Sequence, residues 1–219
     1  MVDIEDIEDM LSSDFFIENV ENKIKIQDDI EDNNDNKIIN KCNNIVLKQI
    51  KSIEEIKFLP KKDEQIRLVT TRAFNSLSII QYIIKKEEIK ECYLGIYSVS
   101  QRTILYLEAI LDKYNDVNFT FLISSWQNKE LNKKNILIKT IGEKYSNLKI
   151  IYACSHIKLI AIKTENNFYI VEGSGNLSGG SRIESYLIDN NKKIYDFHAK
   201  WIGEIEENSL YKELKIIDF

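Results

Sequence analysis

Two short groups of residues carry the side chains best suited to chemistry in this sequence. His156 and Lys158 open the apolar run "HIKLIAIK", and Ser174, Gly175 and Asn176 lie in the turn "GSGN" that ends the next apolar run. Side chains two residues apart on a strand share a face about 7 Å apart, so His156 and Lys158 are predicted to form a compact anion site. An imidazole can act as nucleophile or acid, and a lysine supplies positive charge. The combination predicts chemistry on a phosphate.

A hairpin at "KTENN" is expected to join the two runs and to return the chain antiparallel. Ser174 and Asn176 then come back to the end of the sheet where His156 begins. Glycines allow a backbone that approaches a ligand closely and presents its amides. The glycines concerned are Gly173, Gly175, Gly179 and Gly180. An ordinary hairpin with a satisfied core histidine is the alternative interpretation.

The order H-x-K, strand, turn, strand, G-S-x-N resembles the phospholipase D superfamily, including its small nucleases. The resemblance covers about residues 66–207 and is most specific between the histidine and the asparagine. It implies that His156 is a nucleophile that forms a phosphohistidine. It also implies that Lys158 and Asn176 bind the phosphate and that Ser174 assists them.

Glu184, eight residues after the asparagine, is similar to the acid that orients the histidine in several members of this superfamily. A glutamate bonded to one imidazole nitrogen would fix the tautomer and leave the other nitrogen free to attack. The superfamily often carries Asp five residues after the lysine, where this chain has Lys163. Two interpretations are therefore kept: a catalytic protein and an inactive relative.

A second H-x-K spelling, "FHAKW", contains His198 and Lys200. It falls in a helical pattern with no G-S-x-N after it, and positions i and i+2 do not share a helix face. His198 is therefore predicted to be a packing or surface residue. Because the superfamily's site needs two H-x-K motifs, the second half is expected from another protomer, which implies a two-fold homodimer.

Three further places could contribute to the same site. Arg72 in "TTRAFN" lies at a predicted strand end, where it could reach a ligand or belong to a helix cap. Trp126 in "SSWQNK" could stack on a base or pack on the rim. Tyr97 and Ser98 end another predicted strand on the same side and are equally open.

The apolar pattern predicts strands and helices in alternation along most of the chain. Strands are predicted at "QIRLVTTR", "ECYLGIYSV", "VNFTFLIS", "LKIIYAC", "HIKLIAIK" and "NFYIVEGS", and helices at "AFNSLSIIQYIIKKEEI", "QRTILYLEAILDKY", "NKKNILIKTIGEKYSN" and "KKIYDFHAKWIGEIEEN". An earlier helix is predicted from about Lys37 to the residues before Pro60. Strands rich in Ile and Val, separated by helices, indicate an α/β/α sandwich, and the resemblance implies a mixed central sheet.

Charge divides the chain into an acidic N-terminal arm, residues 1–40, and a phospholipase D-like domain, residues 41–219. The arm holds 13 acidic residues and 3 lysines, a charge of −10, whereas the rest carries +5. A basic body suggests binding of a polyanion such as nucleic acid, although +5 spread over a solvated surface is the plainer explanation. Apolar residues in the arm, as in "DFFIENV", favour docking on a protein partner.

Several function classes are excluded or disfavoured by the same composition. No apolar run approaches the roughly 20 residues that span a bilayer, and the first ten residues are acidic, unlike a signal peptide. Cys42, Cys92 and Cys154 lack metal-type spacing and are expected to be reduced. We therefore expect a cytoplasmic protein, with no cofactor, metal or membrane partner. A bias to Asn and Ile points to an AT-rich genome and so to a low-GC bacterium or its phage; a phage particle is the other location.

These observations lead to one preferred function and one alternative. The preferred function is a metal-independent phosphodiesterase, expected to be a nuclease that cleaves DNA or RNA at a dimeric site. The alternative is a catalytically inactive relative that binds phosphate or nucleic acid, or that serves protein assembly, for example in a phage particle.

Overall fold

Strands and helices alternate along the described chain. The computed structural model describes residues 22–24, 44–71, 76–124, 133–177 and 183–207. The strands are β1 Asn22–Ile24, β2 Asn44–Ile50, β3 Glu64–Thr70, β4 Ile89–Ile96, β5 Asn118–Ser124, β6 Leu148–Ala153, β7 Leu159–Thr164, β8 Phe168–Gly173 and β9 Glu184–Asn190. The helices are α1 Leu77–Lys86, α2 Gln101–Lys113, α3 Lys133–Lys144 and α4 Lys192–Glu207, and a short 3-10 helix covers Ile53–Ile56.

The nine described strands form one mixed sheet. Their spatial order is β1-β2-β3-β9-β8-β7-β4-β5-β6. β2 and β3 are parallel, and so are β4, β5 and β6, whereas β7 and β9 run antiparallel to both of their neighbours. The last described strand in the sequence, β9, thus lies in the middle of the sheet, between β3 and β8.

Helices cover both faces of this sheet, so the predicted mixed α/β architecture is confirmed. Ile79, Ile104 and Ile141, from α1, α2 and α3, belong to the larger apolar core. The smaller core on the other face contains Tyr195 and Ile202 of α4. β7 supplies both cores in alternation, with Ile160 and Ile162 in the larger and Leu159 and Ala161 in the smaller. Burial on both faces explains why this strand is continuously apolar.

The helix predicted from Lys37 to Pro60 is wrong where the structure describes that segment. Residues 44–50 form β2, which pairs in parallel with β3 over its whole length. Val46, Lys48 and Ile50 alternate on the buried side of this strand. The Lys48 ammonium reaches the carbonyl oxygen of Ile56 at 3.2 Å, so its charge is hydrogen-bonded although the side chain is buried.

Two other strands depart from the sequence prediction. β9 was not predicted, because "ESYLIDN" carries polar residues at both ends. One of them, Asp189, is buried and accepts a hydrogen bond from Gln65 Nε2 at 2.8 Å. β7 begins at Leu159, three residues later than predicted, so His156 and Lys158 precede the strand. The predicted four helices and the remaining strands are confirmed within one to a few residues at their ends.

One end of the sheet collects the segments that carry the candidate chemistry. β3, β4, β5, β6 and β8 end there, and β7 and β9 begin there, as their pairing directions require. β6 is an edge strand, so residues 154–158 must pass the ends of β5 and β4 to reach β7. None of the described helices is both long and apolar enough to cross a membrane.

The opposite end of the sheet is fixed by a partly buried polar cluster around Glu87. Its carboxylate accepts hydrogen bonds from Tyr169 Oη, from Thr164 Oγ1 at 2.7 Å and from Asn167 Nδ2 at 2.9 Å. Burial alone would raise the pKa of Glu87, but these hydrogen bonds outweigh it and hold the pKa below its ordinary value. The cluster joins the end of α1 to the hairpin between β7 and β8.

Candidate active site

His156 and Lys158 lie side by side in the loop that leads into β7. The Lys158 Nζ atom is 3.1 Å from His156 Nδ1, 3.4 Å from Nε2 and 3.0 Å from the His156 carbonyl oxygen. His156 is exposed and Lys158 is half-buried. Their predicted proximity is therefore present, but it comes from a folded-back loop and not from the alternation of a strand.

The surroundings of Lys158 make its charged form less stable than that of a fully solvated lysine. Burial lowers the pKa of the ammonium, and the negative charge of Glu184 acts in the opposite direction. An ammonium that is partly stripped of water binds an anion more strongly, because less hydration is lost when the anion arrives. Lys158 is thus suited to hold a phosphate oxygen.

Tyr97, the residue that follows β4, completes this group. Its ring centroid is 4.0 Å from that of His156, with the two planes tilted by 56°. The Lys158 Nζ atom lies 4.9 Å from the same tyrosine ring. The three side chains therefore form one contact group. The sequence alone did not decide whether Tyr97 belongs to the site.

The glycine-rich turn is packed tightly against β9. A Cβ atom on Gly173 would lie 2.3 Å from the carbonyl oxygen of Ser185, and one on Gly175 would lie 1.8 Å from the Tyr186 hydroxyl. No described glycine has a positive φ. Close packing against β9, and not an unusual backbone conformation, therefore requires glycine at these two positions.

Hydrogen bonds from two helix starts hold the same turn. The Ser76 hydroxyl, just before α1, bonds the carbonyl oxygen of Gly175 at 3.0 Å and the Tyr186 hydroxyl at 3.2 Å. Ser100, the N-cap of α2, donates its backbone N–H to the carbonyl oxygen of Leu177 at 3.2 Å. Sequence patterns gave no sign of Ser76 or Tyr186, because both act through contacts with residues about 100 positions away in the chain.

Asn176, in the same turn, is partly buried. Its Oδ1 atom is buried and has no hydrogen-bond partner in the described part of the chain. Its NH₂ group likewise makes no hydrogen bond with described residues. An amide donor of this kind is suited to phosphate oxygens.

Glu184 bonds a different residue from the one expected. The Ser174 hydroxyl donates to Glu184 Oε2 and accepts a hydrogen bond from the backbone N–H of Ser185 at 3.0 Å. Within the described chain, no hydrogen bond joins Glu184 to His156. In this structure, then, the carboxylate positions Ser174 and does not hold the imidazole.

A concavity at this end of the sheet joins the loop before β7 to the glycine-rich turn. It is lined by Ser76, Gly95, Tyr97, Lys158, Leu159, Ile160, Val171, Gly173, Gly175, Leu177 and Tyr186. Of the predicted site residues, Lys158 and Gly175 line this concavity, and His156 contacts Lys158 beside it. Ser174 and Asn176 belong to the same turn as Gly175 but are not among the lining residues. Arg72, Trp126, Gly179 and Gly180 lie outside the described residues.

The remaining residues with possible chemistry lie apart from this concavity. His198 is buried in α4, accepts a hydrogen bond from Trp201 Nε1 at 3.0 Å and has its pKa lowered by burial, as a packing residue should. Of the described cysteines, Cys92 is buried and Cys154 is exposed, and both are free thiols. Among the residues that the structure describes, no group of three His, Cys, Asp or Glu side chains could hold a metal ion.

Comparison with known proteins gives support at the level of the fold. No protein-family model and no curated protein matches the sequence. The structure is similar to polyphosphate kinase from Porphyromonas gingivalis, with a TM-score of 0.51 and 12% identity over 71% of this chain. This chain spans 27% of the length of that enzyme. A further similar structure is TrmBL2, an archaeal chromatin protein, with a TM-score of 0.42 and 15% identity, covering 64% of this chain and 52% of the other.

Proposed function

We propose that this protein is a metal-independent phosphodiesterase of phospholipase D type that cleaves nucleic acid. The observation that carries the proposal is the accessible imidazole of His156 with the Lys158 ammonium 3.1 Å from its Nδ1 atom, beside the turn that contains Asn176. A nucleophile, a cation and a neutral donor at one place are what in-line displacement at phosphorus requires. The similarity in fold to a polyphosphate kinase supports a function in phosphoryl transfer.

In the proposed reaction, a ring nitrogen of His156 attacks the phosphorus of a phosphodiester. A P–N bond forms while the P–O bond to the leaving group breaks, and an acid protonates the leaving oxygen. Water then attacks the phosphohistidine, the P–N bond breaks, and the same group takes a proton from the water. Lys158 and Asn176 hold the phosphate oxygens, and Ser174 assists them when its hydroxyl turns from Glu184 to the phosphate. The positive charge of Lys158 offsets the negative charge of the transition state.

The acid proposed in this scheme is the His156 side chain of a second protomer. Among the described residues the other histidine, His198, is buried in α4 and bonded to Trp201, so it cannot supply the proton. A two-fold homodimer would place the His156 side chains of both protomers at one composite site. In that arrangement, no cofactor or metal takes part.

Nucleic acid is the proposed phosphodiester because of charge. Residues 41–219 carry +5, and a basic surface attracts a polyanion and raises its local concentration. Arg72 and Trp126, which come after β3 and β5 in the sequence, are the residues proposed to contact backbone phosphate and a base. The charge favours DNA or RNA over a lipid substrate.

The second candidate function is a catalytically inactive module that binds phosphate or takes part in assembly. The hydrogen bond from Ser174 to Glu184 favours it, since this carboxylate is then not in place to orient a nucleophilic histidine. Such a module would bind nucleic acid through Lys158 and Asn176 without cleaving it.

One experiment separates the two functions. Labelled single-stranded and double-stranded DNA and RNA are incubated with the purified protein in EDTA, beside His156→Asn and the control Lys200→Ala, which changes an exposed lysine on α4. We expect cleavage by the wild type and the control, none by His156→Asn, and equal melting temperatures for all three. Binding without cleavage would establish the inactive module, and cleavage that needs added magnesium or zinc would refute the histidine mechanism.

Mixing wild-type and His156→Asn protein tests the composite site. If both histidines of a dimer are needed, an equal mixture after subunit exchange should retain about one quarter of the activity, because about one quarter of the dimers hold two intact chains. Independent sites would retain about one half. A strict monomer by light scattering would leave each chain with half of a site and contradict the dimeric mechanism.

A further inference from the structure

The histidine of the candidate site needs something to fix the direction of its ring. An imidazole that attacks phosphorus must point one nitrogen along the line of attack, and a misplacement of about 1 Å can cost a hundredfold in rate. A hydrogen bond to the opposite nitrogen usually sets this direction. Within the described chain Glu184 does not make that bond, because its carboxylate accepts one from Ser174.

Lys158 does not make it either, as its distances to the ring show. Its Nζ atom lies 3.1 Å from Nδ1 and 3.4 Å from Nε2 of His156. An atom in the plane of the ring cannot be that close to both nitrogens without colliding with the carbon between them. The ammonium therefore lies over the face of the imidazole, anchored by its 3.0 Å hydrogen bond to the His156 carbonyl oxygen.

In this arrangement Lys158 therefore uses neither the lone pair nor the N–H group that lie in the plane of the imidazole. Aromatic and cationic contacts with the faces of a ring fix its plane while they leave its edge free. The aromatic contact here is Tyr97, whose ring centroid is 4.0 Å from that of His156 and 4.9 Å from Lys158 Nζ.

Tyr97 itself is firmly placed. It follows β4 directly, and two residues later Val99 forms a parallel bridge with Leu177, just after the glycine-rich turn. Its side chain is half-buried and lines the concavity. Its hydroxyl makes no hydrogen bond with described residues, so the ring is the part of the side chain that makes these contacts.

We propose that Tyr97 is the positioning residue of this site, whose ring holds the imidazole of His156 and the ammonium of Lys158 in the orientation used for attack. This inference rests on the proposed phosphodiesterase function for its catalytic consequence. The contact itself does not depend on that function. Tyr97 thereby takes the orienting task that the sequence pattern had assigned to Glu184.

The test compares Tyr97→Phe, which keeps the ring, with Tyr97→Leu, which removes it and keeps much of the volume. The chain has two histidines, so the imidazole C–H signals in a proton NMR spectrum reduce to His156 and His198. The ring current of Tyr97 should shift the His156 signals in the wild type and in Tyr97→Phe. In Tyr97→Leu those signals should move towards free imidazole, while the signals of His198 stay in place.

Cleavage kinetics on a labelled oligonucleotide supply the second readout. Tyr97→Phe should keep kcat within about threefold, and Tyr97→Leu should lower kcat about 10-fold to 100-fold with little change in KM, because positioning acts on the reacting geometry. If neither the wild type nor any variant cleaves the oligonucleotide, the proposed function is refuted. The NMR shifts alone then decide whether Tyr97 positions His156. Unchanged His156 signals in Tyr97→Leu, or a Tyr97→Phe variant as impaired as Tyr97→Leu, would overturn it.

Discussion

Replacing Gly173 by alanine should destabilise the protein at the point where β8 meets the candidate site. The added Cβ atom would lie 2.3 Å from the carbonyl oxygen of Ser185 and 2.7 Å from the Tyr186 ring. The first contact is with backbone, so a side-chain rotation cannot relieve it. Instead, β9 has to move away from β8.

The size of this effect follows from two contributions. Overpacking of a well-packed interior costs about 1–3 kcal/mol. The hydrogen bond from Ser174 N–H to the Ser185 carbonyl oxygen, 3.0 Å long, uses the same oxygen and contributes about 0.5–1.5 kcal/mol. A total of about 2–4 kcal/mol should lower the melting temperature by about 4–16 °C in a chain of this size.

Gly203→Ala is the matched control, because it makes the same change where nothing lies within 4 Å of the new Cβ atom. Gly203 is inside α4, so alanine there should stabilise by up to about 1 kcal/mol through helix propensity. Thermal and urea denaturation followed by circular dichroism measure both variants. A Gly173→Ala variant as stable as the wild type would show that the turn and β9 are not packed as described.

Three further predictions concern other parts of the molecule. Glu87→Gln should lower stability by about 1–3 kcal/mol at neutral pH; because the folded pKa of Glu87 lies below its ordinary 4.5, this difference should shrink as the pH falls through the folded pKa, in melting curves from pH 7 to pH 3. Lys163→Asp introduces the residue that the phospholipase D superfamily often carries at this place, and it should change cleavage less than about twofold, since Lys163 is exposed and lies about 13 Å along β7 from Leu159. A larger change in the same nuclease assay would place position 163 in the mechanism. Deleting residues 1–21, which keeps β1, should leave cleavage unchanged and abolish the binding of a protein partner in pull-down experiments. Faster cleavage by the truncated protein at low salt would show instead that the acidic arm competes with the polyanion.

Strands and helices whose apolar residues recur with a clear period were predictable from the sequence. The two strands that were not predicted have a common cause. β2 and β9 take their secondary structure from the strands beside them. Residues 44–50 carry apolar side chains at spacings that fit a helix as well as a strand, and pairing with β3 decides between the two. In β9, Asp189 is polar but buried, and Gln65 on the neighbouring strand makes this possible. Neither partner is visible in a local window of sequence.

For the candidate site, the spacing of H-x-K and G-S-x-N was enough to predict that both segments meet. Which side chains touch was not predictable. Tyr97 contacts His156 because β4 lies beside β7, although the two residues are 59 positions apart in the chain. The pairing of Ser174 with Glu184 depends on β9, whose existence the sequence did not indicate.

The central position of β9 has a consequence for how the chain folds. Until residues 184–190 insert, β1, β2 and β3 on one side and the strands from β8 to β6 on the other are separate sheets, with β3 and β8 as open edges. Open edges of this kind pair readily with other chains, so a nascent or truncated chain without β9 is expected to aggregate. The contacts of β9 with β3 join residues about 120 positions apart, which favours slow closure late in folding. Synthesis of this protein should therefore depend on rapid completion of its C-terminal part, or on a chaperone that covers both edges until then.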